Sequence, residues 1–258
     1  MINWKFLQQR DTGRVSQPLH SQLKTICIGK NIEINITGSF VNNKSGIRKL
    51  RNTIQYYDKI NIGCGDNIIN IVPGWLNINK LREKEIFCGT VSNKQDACFL
   101  NCDVLKELPL IENNIKYVYA SNFIEHLTFQ ESIDFLKKCF KIMKKGGVIR
   151  LSFPDLELWC KNYTFNNKKF FKQYYKFTGG YNRLPELKTK GEIFMSQLHN
   201  WGHRWGWDIE SMRHVLTITG FSKIKKKKHL KSAIVDINTI EPKTKVRVLE
   251  CTYIEAFK

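Results

Sequence analysis

Apolar positions along this chain repeat in two rhythms. In TICIGKNIEINITG (25–38), Ile32, Ile34 and Ile36 alternate with Glu33 and Asn35 behind a Gly-Lys-Asn turn, which predicts a small hairpin. From Lys59 the apolar runs become short and nearly continuous: KINI (59–62), GWLNIN (74–79), ACFLNCDV (97–104), IKYVYAS (115–121) and VIRLSFP (148–154). Strands buried on both faces have this look, so a largely parallel sheet covered by helices is expected. Between the fourth and fifth runs a helical period takes over. Ile133, Leu136, Phe140 and Met143 form a stripe widened by Phe135, Cys139 and Ile142, and Thr128 stands three residues before Glu131 as in a capping box. Lys144, Lys145 and Gly146 are suited to end that helix. Asp155 and Asp208 are candidate N-caps for LELWCKNY (156–163) and IESMRHVLTITG (209–220), and KVRVLECTYIEAF (245–257) predicts a late strand.

These elements organise the 258 residues as an N-terminal extension (1–57) of short helices and a hairpin, followed by one α/β domain (58–258). The domain carries an insertion at about 164–200 that reads as polar, aromatic and irregular, broken by Gly179-Gly180. No window is long and apolar enough to span a membrane, and MINWKFLQQRDTGR lacks the apolar core of a signal peptide, so a cytoplasmic protein is expected. None of the eight cysteines forms a C-x-x-C pair, which favours reduced, buried thiols over zinc. The net charge of +19 admits a polyanionic partner, with KIKKKKHLK (223–231) as its sharpest run. Abundant Lys, Asn and Ile together also fit an AT-rich coding bias, which raises charge without any such partner.

The loop after the first strand of a parallel sheet is where nucleotides sit. Here it reads Gly63-Cys64-Gly65-Asp66, with neither the third glycine of a dinucleotide fingerprint nor the G-K-[ST] of a P-loop. The pattern gives a ligand close access to the backbone and offers no phosphate cradle. A nucleoside without phosphate is the ligand that remains.

Six blocks in order, INIGCG, PGWLNIN, NCDV, ASNFIEHL, KKGGVIRLSFPDL and GHRWGWDIESMRHVLTITGF, cover roughly residues 58–221. Together they resemble class I S-adenosylmethionine (SAM) dependent methyltransferases, especially type-11-like enzymes of glycan and surface-polysaccharide pathways, including those of large DNA viruses. The resemblance implies a Rossmann-like α/β fold, its central sheet mostly parallel, flanked by helices, with the last strand antiparallel. It implies SAM as cofactor, S-adenosylhomocysteine (SAH) as product, and O-methylation of a sugar hydroxyl on a glycan or nucleotide sugar, a deoxysugar such as rhamnose among them. An RNA methyltransferase and a non-catalytic subunit of the same fold are the alternatives. Carried over by position, Asn61, Gly63 and Gly65, with the small Cys64 between them, line the methionine and ribose end. Asn79 stands where the family usually has an acid gripping the ribose. Asp103 faces the adenine amino group with Cys102 and Val104 beside the ring, and Ser121 and Asn122 lie near the methionine.

Two places offer a base for removing a hydroxyl proton. His126, with Glu125 before it, reads either as a base with its orienting group or as a structural, cofactor-side element. A Mg²⁺ site there is the less favoured reading, and no metal-ligand set is assigned. In HNWGHRWGWD (199–208), His203 is the second candidate base, and His199, Trp201, Arg204, Trp205 and Trp207 are candidate substrate contacts. The alternative is that these tryptophans close a small core and His203 bonds backbone.

Overall fold

A computed structural model describes residues 24–28, 32–40, 51–52, 54–65, 71–80, 86–91, 97–106, 108–178 and 187–258, with only the course of the backbone for the strands at 24–28, 32–40 and 86–91. The strands are β1 (Lys24–Ile28), β2 (Ile32–Phe40), β3 (Lys59–Ile62), β4 (Leu76–Asn79), β5 (Ile86–Val91), β6 (Cys98–Asn101), β7 (Ile115–Ser121), β8 (Met143–Pro154), β9 (Ser222–Lys227) and β10 (Cys251–Phe257). Among the described residues they form one ten-stranded sheet in the order β1-β2-β5-β6-β4-β3-β7-β8-β10-β9. The five central strands, β6 to β8, are parallel. β10 inserts antiparallel between β8 and β9. The order of the segment from β6 to β9, reversing direction beside β3, is the Rossmann-like arrangement expected of a class I methyltransferase, and its switch point falls between β3 and β7. The other edge is longer than expected. β5 runs antiparallel to β6, and β2 and β1 extend it, with Ile26 opposite Ile34.

The central strands form where the apolar runs predict them. β3, β4 and β6 are buried almost end to end, because helices or loops cover both faces. α1 (Phe129–Ile142) starts at a complete capping box: the Thr128 hydroxyl accepts from the Glu131 N–H at 3.2 Å, and the Glu131 carboxylate accepts from the Thr128 N–H at 2.8 Å. It buries Ile133, Phe135, Leu136, Cys139 and Ile142 against the sheet. The helix stops earlier than predicted. Met143 is extended and already begins β8, so Lys144, Lys145 and Gly146 belong to the strand.

The described residues of 164–200 are largely helical, where an irregular insertion is expected. α2 (Leu156–Thr164), α3 (Lys168–Phe177) and α4 (Lys190–His199) pack around a core of their own, with Phe170, Phe171, Tyr174 and Ile193 about Trp159. Gly179 and Gly180 lie outside the described residues. α5 (Ile209–Ile218) starts from Asp208, as predicted, and α6 (Ile237–Ile240) is a single short turn. The late strand is shorter than predicted, because 245–250 forms α7 (Lys245–Glu250). Val246 and Leu249 join the Trp159 core, and that packing overrides their neighbours' β preference. KIKKKK is mostly the edge strand β9, whose lysines guard an open sheet edge. Lys226 lies 3.6 Å from Asp155 and Lys227 3.4 Å from Glu255.

Beneath that edge Arg150 of β8 is fully buried. It pairs with Glu241 at 2.7 Å and Glu255 of β10 at 2.9 Å, and donates to the carbonyls of Lys228 and Lys231. This triad fastens the 228–241 segment onto the sheet. Among the described residues, no helix is long and apolar enough to cross a membrane.

Candidate active site

The carboxyl ends of β3, β4 and β6 open onto a cleft of about 170 Å³ lined by Ile62, Gly63, Ile78, Asn79, Lys80, Cys102, Asp103, Val104, Leu105, Phe123 and Leu127. Of the ten residues expected at the cofactor, Gly63, Asn79, Cys102, Asp103 and Val104 line it directly. Asn61 and Cys64 are buried within β3 and just beyond it. Asn61 donates to Asn77 at 2.9 Å, which ties β3 to β4. Gly65 stands at the last described residue of the loop, and Asp66 lies outside the described residues. Ser121 and Asn122 turn toward the sheet. The Ser121 hydroxyl meets that of Ser152 at 2.8 Å, and the Asn122 carbonyl oxygen lies 3.3 Å from Cys251 Sγ.

Gly63 has φ +74°, and a Cβ there would stand 2.7 Å from the Phe123 ring. The glycine therefore does two things: it takes a left-handed turn, and it lets Phe123 close one wall of the cleft. Asp103 sits on the opposite rim. Its carboxylate accepts from Leu105 N–H at 3.1 Å and pairs with Lys80 at 2.9 Å. Burial works against its charge, but Lys80 and the Leu105 N–H outweigh that and hold the carboxyl below the usual range. Asn79 carries a buried amide nitrogen with no hydrogen-bond partner. An apolar slot with one carboxylate, one unsatisfied amide and its lysine already paired is a poor home for a phosphate. It suits a flat heterocycle whose sugar meets the polar rim.

A second chamber, small at about 20 Å³ and continuous with open solvent, lies beyond the segment that follows β7 and is lined by Glu125, Pro154, Leu156, Trp159, Gln197, Leu198, His203, Trp205 and Gly206. That segment turns through a single 3₁₀ turn, Ile124–His126. It presents Phe123 and Leu127 to the first cleft and Glu125 to the second. The Glu125 backbone carbonyl accepts from both Arg204 N–H at 2.8 Å and Trp205 N–H at 3.2 Å, so the 200–207 loop is strapped to it. The loop is tightly wound: Trp201 has φ +67° and Gly202 φ +79°. The Glu125 carboxyl is buried, and neither oxygen makes a hydrogen bond. Burial pushes it up to about 7, against the opposing pull of its own backbone N–H, Arg247 and the nearby Asn122 amide. Gln197 Nε2 and Trp159 Nε1 are also buried without partners. Thus four orphaned polar atoms sit on residues lining one chamber. Buried polar groups normally find partners, so this concentration marks a place built to meet a polar ligand.

His126 and His203 meet edge to face with centroids 5.0 Å apart. His203 Nδ1 lies 2.6 Å from the Gln197 carbonyl, and His126 Nδ1 lies 3.3 Å from the Gly202 carbonyl. Burial pushes His203 down to about 4, so its ring is neutral near neutral pH and is a weak base. Of the substrate candidates, Trp205 lines the chamber and Trp201 is exposed beside it in sequence. The other three stand elsewhere. Trp207 is fully buried, its indole N–H directed at the Ile124 carbonyl at 3.3 Å, so it belongs to the core. Arg204 turns to Glu131 at 2.6 Å and staples the loop to the start of α1. His199 ends α4 on the exposed surface. Sequence reasoning missed Gln197, Trp159 and Glu250. Glu250 is a buried carboxyl pushed up to about 8, mainly by desolvation. No sequence signal reveals them: Trp159 and Gln197 meet the chamber only once α2 and α4 pack together, and Glu250 interacts with the Glu125 carboxyl through charge without lining the chamber.

No family model matches the chain, and no curated protein matches it. Among solved structures it is similar to a SAM-dependent methyltransferase from Archaeoglobus fulgidus, with 16% identity over 82% of this chain and 92% of that one, and a TM-score of 0.41. It is similar to a Thermotoga maritima SAM-dependent methyltransferase described as a possible histamine N-methyltransferase, with 16% identity over 82% and 87% and a TM-score of 0.44. It also resembles human N-acetylserotonin methyltransferase in complex with SAM, with 12% identity over 82% of this chain and 51% of that one, and a TM-score of 0.42.

Proposed function

We propose that this chain is a SAM-dependent methyltransferase that methylates a sugar hydroxyl of a glycan or nucleotide sugar. The observation that carries the proposal is the pairing of two cavities across one loop. An apolar, phosphate-averse cleft starts at Gly63, and a chamber with orphaned polar groups lies on the far side of the same segment. Gly63, Phe123, Cys102 and Val104 would hold the adenosyl part, with Asp103 at the adenine amino group and Asn79 at the ribose. Bound there, SAM supplies a sulfonium methyl that is already a good electrophile. Transfer of that methyl to the acceptor oxygen would leave SAH, and Glu125, His126 and His203 would be the groups to take the hydroxyl proton. Holding the acceptor in line is worth on the order of 7–11 kcal/mol, and a placed base adds about 10²–10⁴-fold. Orphaned donors and acceptors beside the Trp159 and Trp205 indoles match a sugar, which is polar at its hydroxyls and apolar on its ring faces.

A polyanionic acceptor gripped by residues 223–231 is the second reading, favoured by the lysines exposed along β9. The test is transfer of labelled methyl from SAM across sugars, nucleotide sugars and RNA, with SAH calorimetry alongside. Label entering a sugar fraction is expected. Label confined to RNA would exchange the first reading for the second, and absence of SAH binding would overturn both.

A further inference from the structure

The carboxylate of Glu125 and one ring nitrogen from each of His126 and His203 all lie within 4.8 Å of one another. We propose that these three side chains form a binding site for one divalent transition-metal ion of the zinc class, open toward the second chamber. Three observations point the same way. First, Glu125 is buried with both oxygens unpartnered, although a buried carboxylate ordinarily has hydrogen bonds or a cation. Second, both histidines set Nδ1 against a backbone carbonyl, Gln197 for His203 and Gly202 for His126. A carbonyl only accepts, so each ring proton sits on Nδ1 and Nε2 is the unprotonated nitrogen. Metal-binding histidines are fixed in this way. Third, His203 reaches the other two through a strained backbone. The turn at Trp201 and Gly202, and the two N–H groups given to the Glu125 carbonyl, hold the loop against the 3₁₀ turn. Local strain of this kind costs roughly 1–3 kcal/mol and tends to persist where function depends on it.

The donor set selects the metal. Two imidazoles and one carboxylate suit Zn²⁺, Co²⁺ or Fe²⁺, whereas Mg²⁺ prefers an all-oxygen shell. A tetrahedral zinc keeps its ligands about 3.3 Å apart, so the ion has to draw these atoms together by at most about 1.5 Å. Three protein ligands leave coordination positions for outside oxygens, as in catalytic rather than structural zinc sites. Glu125 and His203 both line the chamber, so those positions face it. An acceptor hydroxyl bound at one of them would be acidified by the ion, with the three side chains then serving as its ligands instead of taking the proton themselves. That use of the ion rests on the methyltransferase reading; its binding does not.

The test is titration of the full chain with Co²⁺, read by visible absorption, with Zn²⁺ as competitor and Mg²⁺ as control. One Co²⁺ per chain is expected, with the d–d bands of a four- or five-coordinate nitrogen–oxygen site, displaced by Zn²⁺ and not by Mg²⁺. Loss of a second-shell partner alone lowers metal affinity about 10–100-fold, so Glu125→Gln and His203→Ala should each weaken binding by at least roughly 100-fold. His214→Ala, at an exposed position on α5, should bind as the parent does. Glu125→Gln keeps the side chain's shape, and an unchanged melting profile shows that it folds. Wild-type affinity in both ligand variants would overturn the assignment. So would the absence of Co²⁺ binding, or a sulfur-to-cobalt charge-transfer band in place of the nitrogen–oxygen spectrum. Failure of SAH to bind the parent chain would remove the methyltransferase reading and leave the metal site standing, and the converse also holds.

Discussion

Gly63→Ala puts the cleft's architecture to a quantitative test. The residue sits at φ +74°, where an L side chain costs about 1–2 kcal/mol. The new Cβ would stand 2.7 Å from Phe123 Cδ2 and 3.1 Å from its Cβ and Cγ. Carbon atoms rest at about 3.5–4.0 Å, so the ring must retreat by roughly 1 Å. Behind Phe123 stands the fully buried Phe135, with ring centroids 5.2 Å apart. The yielding side is therefore the cleft. Backbone strain and clash together should cost about 2–3 kcal/mol, a fall in Tm of roughly 4–10 °C for a domain of this size. The displaced ring should weaken SAH binding at least tenfold, about 1.4 kcal/mol. Calorimetry with SAH and a thermal melt separate the two effects. Adding Phe123→Ala removes the ring's part of the clash, leaving the Cβ at 3.1 Å and the strain at residue 63. The double variant should regain part of the affinity lost in Gly63→Ala while remaining less stable than the parent. If Gly63→Ala binds SAH within twofold of the parent, or the second change recovers nothing, Phe123 is not the wall of a cofactor cleft.

Two other substitutions probe the rest of the frame. Asn79→Asp should tighten SAH binding about fivefold, the roughly 1 kcal/mol by which a charge-assisted hydrogen bond exceeds a neutral one; weaker binding in calorimetry would mean the ligand uses the amide N–H instead. Arg150→Met leaves Glu241 and Glu255 buried without their cation and should cost about 3–5 kcal/mol in denaturant unfolding, most of it regained when both carboxylates also become apolar; a loss below about 1 kcal/mol would show that the triad does not hold the 228–241 segment.

The parts of this molecule that were legible in the sequence are those decided locally. β3, β4 and β7 are short apolar runs between turn signals, and burial on both faces writes that pattern directly. Thr128 and Glu131 announce the start of α1 because both halves of the capping box lie within four residues. Gly63, Asn79 and Asp103 were placed at one cleft by the resemblance, and they meet there because parallel strands bring their carboxyl ends together. Long-range pairings were not legible. Arg150 meets Glu241 and Glu255 across 91 and 105 positions, and nothing near any of the three hints at it. Asn77 reads as an ordinary strand residue, yet its amide gathers the carbonyls of Val72, Trp75 and Cys98 once β4 pairs with β6. Trp207 sits among glycines and aromatics that look like a surface loop, and a single parallel bridge to Asp155 pulls it into the core. KVRVLE carries the β-branched look of a strand and becomes a helix because Val246 and Leu249 have a hydrophobic partner in the Trp159 cluster.

The segment from Phe123 to Leu127 explains why so much depends on so few residues. It turns through one 3₁₀ step, so neighbouring side chains diverge: two apolar ones go to the first cleft and the carboxylate goes to the second. Its position is set from three sides. Ile124 and Leu127 are packed in the core, the Ile124 carbonyl faces the Trp207 indole, and the Glu125 carbonyl receives two N–H groups from the 200–207 loop. A shift of the loop on ligand binding therefore moves Glu125 and Phe123 as one body. If occupation of one cavity displaces this segment, the fit of the other changes with it, and by linkage the effect is reciprocal. The cost is visible in this segment and the loop strapped to it: Trp201 and Gly202 take positive φ, and Glu125 keeps a buried carboxylate without a hydrogen bond. Departures from local rules cluster where function needs them, and here they cluster on the one wall that both cavities share.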